Sequence, residues 1–202
     1  MNFRRSPIPS IQRLVLASTS QYRRQLLERF HLPFTVHSPG IDESPLAGEE
    51  PVALAHRLAK AKAEAVALRY PDSVIVASDQ VAVLGNATLG KPGTAAAAMK
   101  QLAAANGAQV AFQTAVHVIV PQQQRHEAHV DTTLVKFRTL SNEEISRYVE
   151  TEMPLDCAGA FKAEALGITL FERIDSTDPT ALTGLPLIWL AGALRRAGFQ
   201  LP

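Results

Sequence analysis

Cysteine is almost missing from this chain of 202 residues. Cys157 stands alone, so no disulfide can form within the chain, and a lone thiol reads as core filler rather than nucleophile. An excess of charge is missing too. Twenty basic residues face 19 acidic ones for a net +1, which argues against a broad electrostatic face for nucleic acid and leaves room for a small anion in a local pocket. Long apolar runs are also lacking. Arg4 and Arg5 are followed only by Leu14 to Ala17, too short for a signal-peptide core or a membrane span, so the cytosol is the expected compartment. Residues 1–12 are expected to form a disordered tail and residues 13–202 a single domain. No Gly-x-Gly-x-x-Gly fingerprint and no repeat occurs. The six histidines lack metal-ligand spacing, and His126 and His129 read as solvated members of a polar turn.

What is present fits one α/β unit: 47% apolar and 19% charged residues suffice for a sizeable core. Arg13 to Ala17 reads as a buried strand entering the turn Ser18-Thr19-Ser20, followed by the helical stripe Leu26, Leu27, Phe30. A short strand at Phe34 to Val36 precedes a loop over 38–50, and Pro51 opens a long helix reaching about Arg69. Val74 to Ala77 is a continuous apolar run, expected to be a central strand that delivers Ser78, Asp79 and Gln80 near its end, where α/β folds place chemistry. A hairpin is expected over 81–89, then a helix capped by Thr94 and stopped near Gly107. Val110 to Val120 and His129 to Arg138 form a second strand pair. Ser141 and Glu144 make a capping box for the next helix, and Pro186 to Ala197 is the terminal one.

Several segments carry chemistry. Gly85 to Lys91 has the spacing of a phosphate-binding P-loop, but Pro92 replaces the hydroxyl residue such a loop needs for magnesium, which removes that fold. Lys91 remains open as a phosphate ligand or as a solvated surface lysine. The Ser18-Thr19-Ser20 turn sets hydroxyls and free N–H groups at a helix start, with Arg23 and Arg24 in the first turns. It reads equally as an anion site or as a plain N-cap at Ser20. Phosphoanhydride hydrolysis needs carboxylates to hold a divalent ion and orient water, and cations to take up phosphate charge. Candidate acids are Asp42, Glu43, Asp79 and Glu164. Asp79 leads, because an acid closing an apolar strand is poorly explained as surface decoration.

Together, Leu16 to Ser20 with Arg23-Arg24, Asp42-Glu43, Lys62, Ser78-Asp79-Gln80, Gly90-Lys91-Pro92 and Cys157-Ala158-Gly159 through Glu164-Ala165 resemble the Maf family of nucleotide pyrophosphatases, in the subgroup assigned to 7-methyl-GTP. The resemblance runs from about Arg13 to the C-terminus. It implies a mixed α/β fold related to inosine triphosphate pyrophosphatases, with an elongated sheet flanked by helices and two lobes around a cleft. It also implies a divalent metal, Mg2+ or Mn2+, and a nucleoside triphosphate as the small-molecule partner, with no nucleic acid and no membrane. Pairing into a homodimer stays open. Asp79 becomes the general base and a metal ligand, and Glu43 its partner on the metal. Arg23, Lys62 and Lys91 become phosphate ligands beside Ser18 and Ser20, while Tyr22, Gln80 and Glu164 fall where subgroups differ. Gln80 and Glu164 point to the methylguanine branch, whose cationic ring an aromatic face and a carboxylate both stabilise. Gln21 replaces the family's usual proline, and Tyr22 stands where that branch often has tryptophan. The alternatives are a pyrophosphatase for other nucleotides and a non-catalytic nucleotide-binding regulator of cell division.

Overall fold

The computed structural model describes residues 13–202, so the expectation of a disordered tail over 1–12 lies outside the described residues. The seven strands are β1 (Arg13–Leu16), β2 (Phe34–Val36), β3 (Ser73–Leu84), β4 (Ala87–Leu89), β5 (Gln109–Val120), β6 (Arg125–Phe137) and β7 (Phe171–Asp175). They form one mixed sheet in the order β2-β1-β3-β5-β6-β7, with β4 on the edge of β3. The helices are α1 (Gln21–Glu28), α2 (Pro51–Ala67), α3 (Ala95–Ala105), α4 (Asn142–Glu152) and α5 (Leu187–Arg196). Among the described residues no helix is long and apolar enough to cross a membrane.

Local chemistry accounts for the helix ends. Thr94 Oγ1 accepts from the Ala97 N–H, and the Ser141/Glu144 capping box is complete in both directions. Pro51 starts α2, where its missing N–H is no loss.

Strand alternation sends residues to opposite faces of the sheet. On one face, Ile75, Ala77, Val81 and Ala115 pack on Leu54, Leu58, Ala59, Ala63 and Val66 of α2. On the other, Val74, Val76, Val116 and Val118 meet Leu26 and Leu27 of α1 and Leu190 and Leu194 of α5. Farther along that face α3 and α4 cover Phe112, Val135 and Phe137, joined by Phe161. These two cores on one face correspond to the two lobes expected from the sequence.

Two expectations about strands need correction. The run 74–77 and the first hairpin arm are a single strand, so Asp79 lies mid-strand rather than at a strand end. The apolar pattern does not stop at Ala77. Val81, Ala82 and Val83 continue it beyond the polar triplet, and β5 pairs with β3 from Ile75 to Leu84. What ends near Asp79 is the other neighbour: β1 pairs with β3 only as far as Leu16↔Val76, and β4 begins at Ala82↔Leu89. The β3 edge is therefore unoccupied by strand between these points. The second correction concerns β6, which begins at Arg125, so His126 and His129 are strand residues and not turn residues. His129 stacks on Trp189 with ring centroids 5.4 Å apart, while His126 lies beside His117.

His117 is buried between the sheet and α2, and its Nδ1 has no hydrogen-bond partner. Burial, reinforced by His126, His56 and Lys60, pulls its pKa from 6.5 down to about 4. The unfolded chain takes up a proton as pH falls through 6.5, whereas the folded chain resists until about 4, so stability drains away across that window. His117→Phe should flatten the fall in Tm between pH 6.5 and pH 4. Parallel Tm-against-pH curves for the two proteins would refute this.

Candidate active site

Above the unpaired stretch of β3 lies a cleft of ≈ 950 Å³. Ser18, Ser20, Tyr22, Arg23, Glu43, Lys62, Asp79, Gln80, Lys91 and Glu164 all line it. Residues drawn from six separate segments thus share one concavity.

At its floor stands an ion-pair cluster. Asp79 projects from β3 on the α2 face, and Lys62, from the middle of α2, places Nζ 2.6 Å from Asp79 Oδ1 and 3.0 Å from Glu43 Oε1. Both Asp79 and Lys62 are about nineteen-twentieths buried, at 6% and 5% exposure. Glu43 reaches in from the 38–50 loop. That loop is pinned to α2 by Arg57, which donates to both Glu49 oxygens at 2.6 and 2.8 Å and to the Ser44 carbonyl. The Arg57 hydrogen bonds hold the Glu49 carboxyl down at about 2. Asp42 turns the other way: its Oδ1 accepts from the Ser44 N–H, which keeps its pKa low and shapes the loop.

Arg23 forms the opposite wall. Its Nε donates to the Gly184 carbonyl at 3.0 Å, the same oxygen that Ser78 Oγ reaches at 2.8 Å. Gly184 has φ +112°, and a Cβ there would lie 3.3 Å from Arg23 Nε, so both backbone and space call for glycine. Desolvation lowers the Arg23 pKa while Asp79 and Glu43 oppose the shift, and the guanidinium keeps its charge. Ser20 caps α1 by accepting from the Arg23 N–H, and Ser18 Oγ accepts from the Ser20 N–H. Either hydroxyl still has a proton to give. The cap and the anion site are therefore compatible readings of one turn.

Lys91 is exposed and, among the described residues, pairs with no carboxylate. Gln101 holds the preceding Gly90 carbonyl, and Gly93 bonds to Leu155, tying this loop to the far wall. On that wall Tyr22 OH lies 3.5 Å from Asp156 Oδ2 and 3.6 Å from Cys157 Sγ. Burial raises the Tyr22 pKa, with Cys157 and Asp156 adding to the effect, so the ring stays neutral. Cys157 is a half-buried wall residue and not core filler; burial pushes its thiol up to about 11, which disfavours the nucleophilic thiolate. Glu164 is exposed at the rim.

Gln80 points to the other face of β3. Its Nε2 lies within 3.0 Å of Thr114 Oγ1 and of the Ala181 and Leu182 carbonyls, more acceptors than its two N–H bonds can serve, so only its carbonyl end is left for a ligand. Sequence reasoning missed this 176–185 segment. Asp178 accepts from Thr180 and from the Ile188 N–H at the start of α5, while Asp131 accepts from Thr177. The Asp, Ser and Thr density of Asp175 to Thr180 was the available signal for so strongly hydrogen-bonded a turn.

Glu43 and Asp79 suit a hard divalent cation. Among the described residues no group of three or more His, Cys, Asp or Glu converges on a metal position. Mg2+ commonly takes one or two carboxylates and completes its shell with phosphate oxygens and water, so the pair fits.

The fold and site define a class: a mixed α/β sheet with a polar cleft at an interrupted strand edge, on the fold of the Ham1 protein of Staphylococcus aureus. That structure aligns with a TM-score of 0.51 at 15% identity, covering 90% of this chain and 100% of that one. The chain belongs to the Maf-like protein family, whose model matches residues 13–197. It is 56% identical to a protein of Xanthomonas oryzae pv. oryzae (94% of this chain, 99% of that one) and 55% identical to one of Aromatoleum aromaticum (94% and 98%). A Chromohalobacter salexigens protein is 51% identical (93% and 97%). All three relatives are named 7-methyl-GTP pyrophosphatase.

Proposed function

We propose that this chain is a cytoplasmic nucleoside triphosphate pyrophosphatase that converts 7-methyl-GTP to 7-methyl-GMP and pyrophosphate. The observation that carries the reading is the buried Asp79–Lys62 pair, with Glu43 on the same ammonium, facing Arg23 and Lys91 across one cleft. Relatives above 50% identity over nearly the whole chain support the same substrate.

In this reading Asp79 accepts the proton of the attacking water as the bond between α- and β-phosphate breaks. Arg23, Lys62 and Lys91 take up the charge that gathers on the phosphate oxygens, with the Ser18 and Ser20 hydroxyls donating beside them. A divalent cation held by Glu43 and Asp79 would neutralise the polyphosphate and polarise the bond under attack. At the other end the Tyr22 ring and the Glu164 carboxylate favour a base bearing positive charge. The cleft thus offers cations for the tail, and an aromatic ring with a carboxylate for the base.

The test is pyrophosphate release from 7-methyl-GTP, GTP, dTTP and UTP with Mg2+ or Mn2+. Release from 7-methyl-GTP should dominate, and binding without release from any of them would sink the reading. Glu164→Gln should lower kcat/KM for 7-methyl-GTP about 10-fold or more relative to GTP, since it removes the charge and keeps the shape. An unchanged ratio would remove Glu164 from base selection.

A further inference from the structure

The position of Lys62 bears on how metal enters the site. Its ammonium lies between the two carboxylates assigned to the cation, in reach of both and almost wholly buried. Its Nζ donates a hydrogen bond to Asp79 Oδ1 and stands 3.0 Å from Glu43 Oε1, so it sits against the oxygens that a metal would need. A divalent ion bound to these oxygens and an ammonium on the same oxygens would repel at such short range, most strongly beside the buried Asp79. Lys62 must leave for the metal to enter.

We propose that Lys62 is a tethered substitute for the metal in the free protein, so that a divalent cation binds tightly only together with a polyphosphate that draws the ammonium away. This rests on Glu43 and Asp79 being the metal ligands. Lys62 is suited to the exchange. Its flexible four-carbon stem carries a point charge, whereas Arg23 is fixed at Nε by the Gly184 carbonyl and Lys91 stands outside on an exposed loop. The paired carboxylates also explain the arrangement energetically. A carboxylate as deeply buried as Asp79 calls for a cationic partner, and Lys62 supplies it until substrate arrives. With no third carboxylate among the described residues converging there, the cation shell is left for substrate oxygens and water to complete, which ties metal to nucleotide a second time.

By reciprocity, polyphosphate and metal must raise each other's affinity by the same factor. The experiment is a Mn2+ titration of the full chain, read by electron paramagnetic resonance, with and without a non-hydrolysable α,β-methylene triphosphate. Lys62→Met should bind Mn2+ at least about tenfold more tightly than wild type without nucleotide, and the nucleotide analogue should narrow that gap. Equal or weaker Mn2+ binding by a folded Lys62→Met protein overturns the proposal. Should that variant not fold, Lys62→Arg serves instead: its rigid fork should grip both carboxylates and lower free Mn2+ affinity about tenfold, and undiminished affinity overturns the proposal equally. Glu43→Gln and Asp79→Asn separate the two levels. If neither weakens Mn2+ binding in the presence of the analogue, the metal assignment itself fails. If both weaken it and the Lys62 variants behave like wild type, only the substitution by Lys62 fails.

Discussion

Asp79→Asn is expected to lower turnover of 7-methyl-GTP by about 100- to 10,000-fold, the range associated with loss of a positioned general base. Asparagine matches the carboxylate in shape but cannot take a proton from water, and at the proposed metal site it would present a neutral amide in place of a charged carboxylate. The fold should survive, because Lys62 keeps Glu43 as a partner at 3.0 Å and β3 retains its register with β5 on either side of residue 79. The loss should fall on kcat rather than on nucleotide affinity, since Arg23 and Lys91 are untouched. Steady-state kinetics together with a thermal melt make the check. A variant that melts like wild type and turns over at a near-normal rate would mean that Asp79 is not the base.

The second large effect lies in the core. Phe137→Ala should destabilise the protein by about 3–5 kcal/mol, a fall in Tm of roughly 6–20 °C for a chain of this size. Phe137 is fully buried, and its ring meets Phe161 at 5.7 Å and Phe171 at 5.2 Å in edge-to-face contacts. Phe161 in turn packs on Phe112 at 5.3 Å and lines the cleft. The void would thus open behind the wall that carries Cys157 and Glu164, and KM for 7-methyl-GTP should rise along with the loss in stability. Urea denaturation and steady-state kinetics measure the two effects separately. A loss below about 1 kcal/mol would show that the aromatic cluster collapses to fill the gap.

Much of the fold was legible because the signals were local. Thr94, the Ser141/Glu144 pair and Pro51 each mark a helix start through chemistry confined to one turn. The long strand was read short for the opposite reason. Ser78, Asp79 and Gln80 interrupt an apolar run, and polar residues inside a strand normally signal its end, but here Ser78 bonds to the Ala115 and Gly184 carbonyls and Asp79 pairs with Lys62. Only tertiary contacts explain why the chain continues. The same holds for Gln80, whose partners Ala181 and Leu182 lie a hundred residues away and whose role in holding that turn leaves no sequence pattern. The candidate site was accessible through the joint occurrence of short motifs. The pinning of its acidic loop by Arg57 was not, because a Glu and an Arg eight residues apart look like any other surface charges.

The strand that carries Asp79 runs without a break through both lobes, fastened to β5 over ten consecutive register pairs from Ile75 to Leu84. Such a ribbon acts as a stiff beam: bending it at the polar triplet would tear several ladder bonds at once, each worth about 1 kcal/mol net. Adaptation to ligands of different size is therefore left to the periphery, to the 38–50 loop, the Lys91 loop and the rim bearing Glu164. The Asp79 carboxylate itself stays anchored, like a fixed jaw against which the other parts close.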